Sequence, residues 1–366
     1  MSKMIKSLGL MSGTSLDGID LAIISSDGES LLELGRHACV SYDEETRSTL
    51  RAAIDMARDL PTPVLADMAM WPDLLVTADA LVTQAHMVAV QEFLDADDDI
   101  ELIGFHGQTL AHRPDEAMTL QIGDAQALAT GLAIDTVGQF RLNDIRNGGQ
   151  GAPLAPFYHA ALAGPARPQA VVNLGGIANM TWLGAGDDML AFDTGPANAL
   201  IDDWVMSKTG APYDADGALA AAGRVNEAAL AALMAHGFFE AQPPKSLDRL
   251  AFDMEPVQAL SPEDGAATLT AFSAKALARG VAHCAEKPMR LILCGGGRHN
   301  KTLTQMIADY GDIGVVDCDV LGWHGDALEA QAFAWLAIRS VKGMVLTSPD
   351  TTGVSQPVSG GELYKA

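Results

Sequence analysis

Residues 8–25, LGLMSGTSLDGIDLAIIS, set two apolar runs, Leu8 to Met11 and Ile19 to Ile24, on either side of a stretch of Ser, Gly, Thr and Asp. The pattern predicts a strand, a polar turn and a second strand. It returns at residues 170–184, AVVNLGGIANMTWLG, where Val171 to Leu174 and Met180 to Leu183 bracket Gly175, Gly176 and Asn179. A repeat this long is not a solenoid. Two related lobes that each open on a hairpin account for it.

Outward from the first hairpin, the spacing predicts a helical stretch around Leu60 to Leu94, then a strand of about four residues in ELIGFHGQT that runs into a polar turn, and a third strand in LAIDTV. Segment 139–156, QFRLNDIRNGGQGAPLAP, is dense in Gly, Pro, Asn and charge, so it is read as irregular and the lobe boundary is placed at its start. The expected division is 1–138 for the N-terminal lobe and 139–366 for the C-terminal one. Outward from the second hairpin, MLAFD is a strand ending in TGPAN, and ALIDDWVMSKT has helical spacing. Ser261-Pro262-Glu263-Asp264 opens a helix, with Ser as N-cap, Pro in the first turn and acids at the positive end of the dipole. Leu269, Phe272, Ala276 and Val281 supply its apolar face. RLILCGGGRHN is a buried strand that ends in a triple glycine, and GDALEAQAFAWLAIRSV a closing amphipathic helix. The tail, TSPDTTGVSQPVSGGELYKA, reads as loop and is free to pack back on the first lobe. Strands alternate with helices, which predicts an α/β fold with mostly parallel sheets.

The chain of 366 residues carries 23 Lys+Arg against 47 Asp+Glu, a formal charge of −24. Nucleic acid and anionic lipid need a basic footprint, so neither is an expected partner. Hydrophobic residues at 48% exclude a disordered chain. Cys39, Cys284, Cys294 and Cys318 have neither zinc-site spacing nor disulfide density, and no apolar run reaches bilayer-spanning length. The cytoplasm is the expected compartment, and the composition is compatible with a homodimer.

Three glycine-rich tips carry the chemistry. In SGTSLDG, small residues leave backbone N–H groups unblocked by Cβ atoms, as a phosphate requires. No G-x-x-x-x-G-K-[ST] pattern is present, so amides, hydroxyls and a divalent cation must hold any phosphate. Alone, such a stretch is most often only a turn. NLGGIAN supplies a second tip, and CGGGRHN a third, where an adenosine can lie against bare backbone; a tight strand-to-helix crossing is the alternative there. Together the three favour nucleotide binding. His106 and His112 are six apart, which fits no helix face and lacks a third ligand, so a structural or sugar-contacting role is preferred to a metal pair.

The motifs GLMSGTSLDGID, HGQT, QIGD, GGQGAPLAP, NLGGIAN, FDTGPAN, CGGGRHN and EAQAFAWLA, in this order, resemble the pattern of the anhydro-N-acetylmuramic acid kinases from Leu8 to about Ala337. The resemblance implies the duplicated, RNase H-like fold of the actin, Hsp70 and sugar-kinase group, with two lobes closing over ATP. It implies hydrolytic opening of 1,6-anhydro-N-acetylmuramic acid and phosphorylation of O6, giving N-acetylmuramic acid 6-phosphate, in peptidoglycan recycling. By motif, Ser12, Gly13, Thr14, Ser15, Leu16, Asp17, Gly18 and Ile19 form the ATP phosphate loop, Gly175, Gly176 and Asn179 the facing one, and Gly295, Gly296 and Gly297 flank the adenosine. Asp193 matches the catalytic base.

The residues allow this chemistry. Opening an anhydro bridge is related to glycoside hydrolysis, but the departing O6 takes a phosphoryl group, so one carboxylate suffices to activate water. With a reference pKa near 3.9, Asp193 is expected to be ionised at neutral pH without tuning. Read without the resemblance, it is as well explained as a cap on the helix that follows. His106, Gln108, Arg141, Asp144 and Glu329 are the candidate sugar contacts, with Arg141 the best partner for the lactyl carboxylate. Asp17 and Asp20 are the carboxylates nearest the proposed phosphates and the candidates to orient Mg²⁺ through water; the sequence does not choose between them, and Asp17 is the one named as metal site. The departures from the family pattern, Gln139-Phe140-Arg141, Arg146-Asn147 and PPKSLDR, fall on the sugar side. A kinase of another sugar and a non-catalytic ATP-driven clamp are the competing expectations.

Overall fold

In the computed structural model, residues 3–13, 15–29, 32–247 and 251–366 are described. They form two compact units, Met1–Gly164 with Ala327–Ala366, and Pro165–Asp326.

The first unit is built on β1 (Ile5–Ser12), β2 (Gly18–Ser26), β3 (Leu32–Ser41), β4 (Leu102–Arg113), β5 (Met118–Ile122) and β6 (Thr136–Gly138). β1, β2 and β3 pair antiparallel in sequence, while β4 runs parallel to β1 and to β6. Leu8 and Leu10 of β1 and Leu21 and Ile23 of β2 meet in the core. The helix Asp73–Phe93 is long and apolar enough to cross a bilayer by composition, yet its Leu75, Ala78, Val82 and Val90 are buried in this unit, and Asp79 accepts from the Gly123 amide. It is a core helix.

The second unit is built on β7 (Gln169–Leu174), β8 (Ile177–Leu183), β9 (Met189–Pro196), β10 (Arg290–Cys294) and β11 (Gly314–Asp317). β7, β8 and β9 are antiparallel, and β10 is parallel to both β7 and β11. The order β3-β2-β1-β4-β6 is thus repeated as β9-β8-β7-β10-β11. That repeat is the duplicated α/β topology expected from the two hairpins. Ser261 caps the helix Pro262–Val281 by accepting from the Asp264 amide, and the four expected apolar residues are buried.

Several expectations are corrected. The sheets are mixed, because each unit opens with three consecutive antiparallel strands and only the later crossovers are parallel. β4 has 12 residues, since β5 folds back on its polar half, pairing Gln108 with Ile122 and Arg113 with Met118. The division between units falls at Gly164, not at 139. Segment 139–164 winds into the first unit, with Phe140 against Phe333 and Tyr158 donating to Gln331 at 2.9 Å. The closing helix Leu328–Val341 belongs to the first unit and is buried almost all round rather than amphipathic. It lies so close to the sheet that a Cβ on Gly9 would be 1.7 Å from the Ala330 carbonyl oxygen, and one on Gly104 would be 2.1 Å from that of Phe333. The tail is ordered: Pro349–Thr352 is helical and Glu362–Tyr364 pairs antiparallel with β6.

Candidate active site

The first hairpin tip is held from beneath. Gln108 donates through Nε2 to the Gly13 carbonyl at 3.2 Å, and its Oε1 accepts from the Ser12 hydroxyl. The single proton of Ser12 is thereby used, so Tyr42 is the donor across its 2.8 Å contact with Ser12 Oγ. Burial pushes the Tyr42 phenol up to about 12, which keeps that proton in place. Leu16 has a left-handed backbone, φ 61°, donates its amide to the Gly13 carbonyl and buries its side chain. Gly18 and Ile19 are paired with Ser41 and Val40 in the sheet. Of the stretch assigned to phosphate, Leu16, Gly18 and Ile19 are therefore scaffold, whereas Gly13 is half-buried and Ser15 and Asp17 are exposed. Thr14 lies outside the described residues.

At this tip is a cavity of about 390 Å³ whose lining includes Met11, Ser12, Gly13 and Ser15 of the hairpin together with His106, His112, Arg141, Glu329, Thr109, Gln121 and Ala152. Arg141 donates through Nη2 to Nε2 of His106 at 3.0 Å and through Nη1 to the Gly151 carbonyl at 2.7 Å. His106 Nδ1 faces the Gly107 carbonyl at 2.7 Å. Burial, reinforced by Arg141, holds His106 well below the usual histidine range, and the same two causes lower His112 to about 4. Burial lowers Arg141 to about 10, with Glu329 and Asp144 pulling it back up, so it remains a cation at neutral pH. Glu329 meets water in the cavity but is closely surrounded by protein, which raises its pKa; Arg141 opposes the rise and Asp20 adds to it.

Gln108 and Asp144 have other tasks than the sugar contact expected of them. Gln108 is fully buried beneath the hairpin. Both Asp144 carboxylate oxygens are bonded to the chain itself, to the Gly151 amide and to the Thr347 and Thr352 hydroxyls.

In the second unit, Asn198 ties the second tip to the helix it begins, donating to the carbonyls of Leu174 and Gly175 at 2.8 and 2.9 Å. Asn173 pairs in register with Asn179, and Asn179 with Asp193, so three half-buried polar residues lie side by side across three strands of the sheet. Asp193 accepts from the Leu247 amide at 2.8 Å, and its own amide donates to the Lys245 carbonyl. Burial raises its pKa to about 6, partly offset by the Leu247 bond. The carboxylate is tuned, contrary to the expectation of an ordinary acid. Asp248 and Arg249 of PPKSLDR lie outside the described residues.

Gly295 takes φ 74°, and a Cβ there would be 2.2 Å from Asn173 Oδ1, whereas one on Gly296 would meet nothing within 4 Å. The turn is fixed by Arg298, whose side chain is 1% exposed, donates to the Gly295 carbonyl at 3.1 Å and is ringed by Asp317, Asp319 and Asp326. Burial works against its charge, but the bonds to Asp326 and Asp319 outweigh that and raise its pKa.

The family model for anhydro-N-acetylmuramic acid kinase matches residues 5–366. This chain belongs to that family. It is 48% identical to the anhydro-N-acetylmuramic acid kinase of Rhizorhabdus wittichii over 100% of both chains. It is 47% identical to that of Rhodospirillum rubrum, covering 98% of this chain and 94% of the relative. With that of Zymomonas mobilis it shares 46%, over 98% and 99%. Among solved structures, component A of the (R)-2-hydroxyglutaryl-CoA dehydratase of Acidaminococcus fermentans aligns with a TM-score of 0.44 at 12% identity, over 91% of this chain and 99% of that one. Like the kinases it matches along its whole length, the chain is a sugar kinase that uses ATP. Tyr42 lies outside every motif, and Asn173 and Arg298 lie inside NLGGIAN and CGGGRHN without being singled out there as supports of the turns. Asn173 has a further local signal, a polar residue inside the apolar run VVNL.

Proposed function

We propose that this member of the anhydro-N-acetylmuramic acid kinases opens 1,6-anhydro-N-acetylmuramic acid with water and phosphorylates O6, with the cavity of the first unit receiving the sugar. The observation that carries this is the cavity itself, in which the open backbone at Gly13 and Ser15 shares one space with Arg141, His106 and Glu329. Phosphoryl transfer needs donor and acceptor groups side by side, and little else from the protein.

Arg141 is the group for the lactyl carboxylate, its guanidinium oriented by His106 and Gly151. Asp193 is the general base: it takes a proton from water as the water oxygen bonds to C1, the C1–O6 bond breaks, and O6 takes the terminal phosphoryl group of ATP, releasing ADP. The turn Gly295–Gly297 holds the adenosine. Asp17 offers an exposed carboxylate, a hard oxygen donor of the kind Mg²⁺ takes, directly or through water. Bound there, Mg²⁺ would offset the negative charge of the phosphates. ATP and the recycled sugar place the reaction in the cytoplasm.

The deciding experiment is incubation of the purified protein with Mg-ATP and 1,6-anhydro-N-acetylmuramic acid. One 6-phosphosugar per ATP consumed is the expected result; ADP release with another sugar from a panel, and none with this one, would replace the substrate.

A further inference from the structure

Asp144 is 1% exposed, and a buried carboxylate must be matched by donors. Its Oδ1 accepts from the Gly151 amide at 2.6 Å, and its Oδ2 accepts from the hydroxyls of Thr347 and Thr352, each at 2.5 Å. Both threonines are 1% exposed and belong to the tail that composition marks as loop. The tail folds on itself to present them. Thr347 and Val358 exchange backbone bonds, and Ser348 with Thr351 caps the turn that carries Thr352. The Gln150 amide donates to the Thr352 carbonyl at 2.8 Å, closing the contact from the other side.

The stretch 144–151, which leaves the short helix Leu142–Arg146, is shaped around this carboxylate. A Cβ on Gly149 would lie 2.1 Å from Asp144 Oδ1. At the far end of the stretch, the Gly151 carbonyl accepts from Arg141 Nη1. One continuous path of hydrogen bonds thus runs from two hydroxyls of the tail, through Asp144 and Gly151, to the guanidinium in the cavity.

We propose that Thr347 and Thr352 are positioning residues for sugar binding: by fixing Asp144 they fix Gly151, and by fixing Gly151 they aim Arg141. The inference rests on the reading of Arg141 as the sugar's anion partner. It assigns a role to a segment that none of the family's motifs reaches. The tail has further ties to the unit, from Asn143 Nδ2 to the Ser359 carbonyl at 2.6 Å and through the pairing of Glu362–Tyr364 with β6, so removing two hydroxyls does not detach it.

The test is steady-state kinetics with Mg-ATP and 1,6-anhydro-N-acetylmuramic acid on three variants. Thr347→Val with Thr352→Val keeps side-chain shape and removes both donors; its KM for the sugar should rise at least about tenfold while its KM for ATP stays within about twofold, the loss expected of a displaced charged hydrogen bond. Thr347→Ser with Thr352→Ser keeps the hydroxyls and should retain the sugar KM. Arg141→Ala tests the reading beneath. A raised sugar KM in Arg141→Ala beside an unchanged one in a folded double valine variant would overturn the inference alone. An unchanged sugar KM in Arg141→Ala would remove both. Equal rises in both KM values in the valine variant would make the threonines merely structural. If the double variant does not fold, Thr347→Val and Thr352→Val singly leave one donor on Oδ2, and each should raise the sugar KM severalfold; no rise in either overturns the proposal.

Discussion

Arg141 Nη2 lies 3.0 Å from His106 Nε2, and the other ring nitrogen of His106 lies 2.7 Å from the Gly107 carbonyl. A guanidinium only donates and a carbonyl only accepts, so the proton of His106 is on Nδ1 and the ring is neutral. His106 is therefore the acceptor that orients a cation, not an acid, a base or a metal ligand. Its tilted packing against Phe333, with ring centroids 4.5 Å apart and an interplanar angle of 42°, holds the ring in that attitude.

Replacing His106 by Phe keeps the stacking partner and leaves Arg141 without its acceptor. A hydrogen bond to a charged group contributes about 1.5–3 kcal/mol, so the KM for the sugar should rise by roughly one to two orders of magnitude, with kcat much less affected. In the wild type, the His106 ring signals should not titrate between about pH 5 and 8, as nitrogen-edited NMR would report. Protonation near the ordinary histidine pKa would contradict the assigned tautomer.

Asp193 leads to a pH prediction. Burial raises its pKa to about 6, so the base form is lost as pH falls through 6. kcat/KM should be flat above that point and drop about tenfold per pH unit below it. Asp193→Asn should cost at least about a hundredfold in turnover while ATP still binds. Stability runs the other way. The native state holds this proton more tightly than the unfolded chain, so the buried carboxylate costs nothing below the unfolded pKa and its full penalty above pH 6. Asp193→Asn should accordingly melt at a higher temperature than wild type at pH 7.5, and the difference should vanish by about pH 4. An acid limb centred near 4 would show an untuned carboxylate.

The two hairpins were legible because their signal is local: apolar runs around a tip of small polar residues. The same locality explains what was not. His106 and Gln108 are polar, and their stretch reads as a turn, yet β4 runs through both, and from Gln108 onward it is paired with β5. The tail reads as loop because Ser, Thr, Gly and Pro compose it, and nothing nearby in sequence shows that Thr347 and Thr352 answer a buried carboxylate about two hundred positions earlier. Asp193 reads as a strand-end acid, but β9 runs on to Pro196 and holds it within the strand, and its raised pKa depends on how the sheet and the chain around Leu247 enclose it. For the first hairpin the motif fixes which backbone stays bare, while Tyr42 and Gln108, which hold it, come from elsewhere in the chain.

Gly295 and Gly296 separate fold from ligand. At Gly295, a left-handed φ of 74° and a Cβ that would be 2.2 Å from Asn173 Oδ1 mean that Gly295→Ala strains the turn, on the order of 1–3 kcal/mol for the backbone alone. Its Tm should fall and its KM for ATP rise. At Gly296 a Cβ meets nothing within 4 Å. Gly296→Ala should therefore keep the Tm of the wild type and still weaken ATP, because only a bound adenosine would meet the new methyl. If ATP binds Gly296→Ala as tightly as wild type in calorimetric titration, the adenosine lies elsewhere.

The buried Tyr42 tests how the first tip is held. Its hydroxyl donates to Ser12 Oγ, which donates in turn to Gln108, whose amide nitrogen reaches the Gly13 carbonyl. Tyr42→Phe removes one member of this chain, and Ser12 keeps Gln108 as partner, so the cost should be about 1 kcal/mol of stability. Gln108→Leu removes both of its bonds to the hairpin at once, leaving the Gly13 carbonyl with the Leu16 amide alone and the Ser12 hydroxyl with Tyr42 only. That variant should raise the KM for ATP by about tenfold or more, Tyr42→Phe by only a few fold, and neither should alter the KM for the sugar by a comparable factor. The order of the two effects is the informative result. A rise in the sugar KM that equals or exceeds the rise for ATP would mean that Gln108 supports the sugar side of the cavity and not the phosphate hairpin.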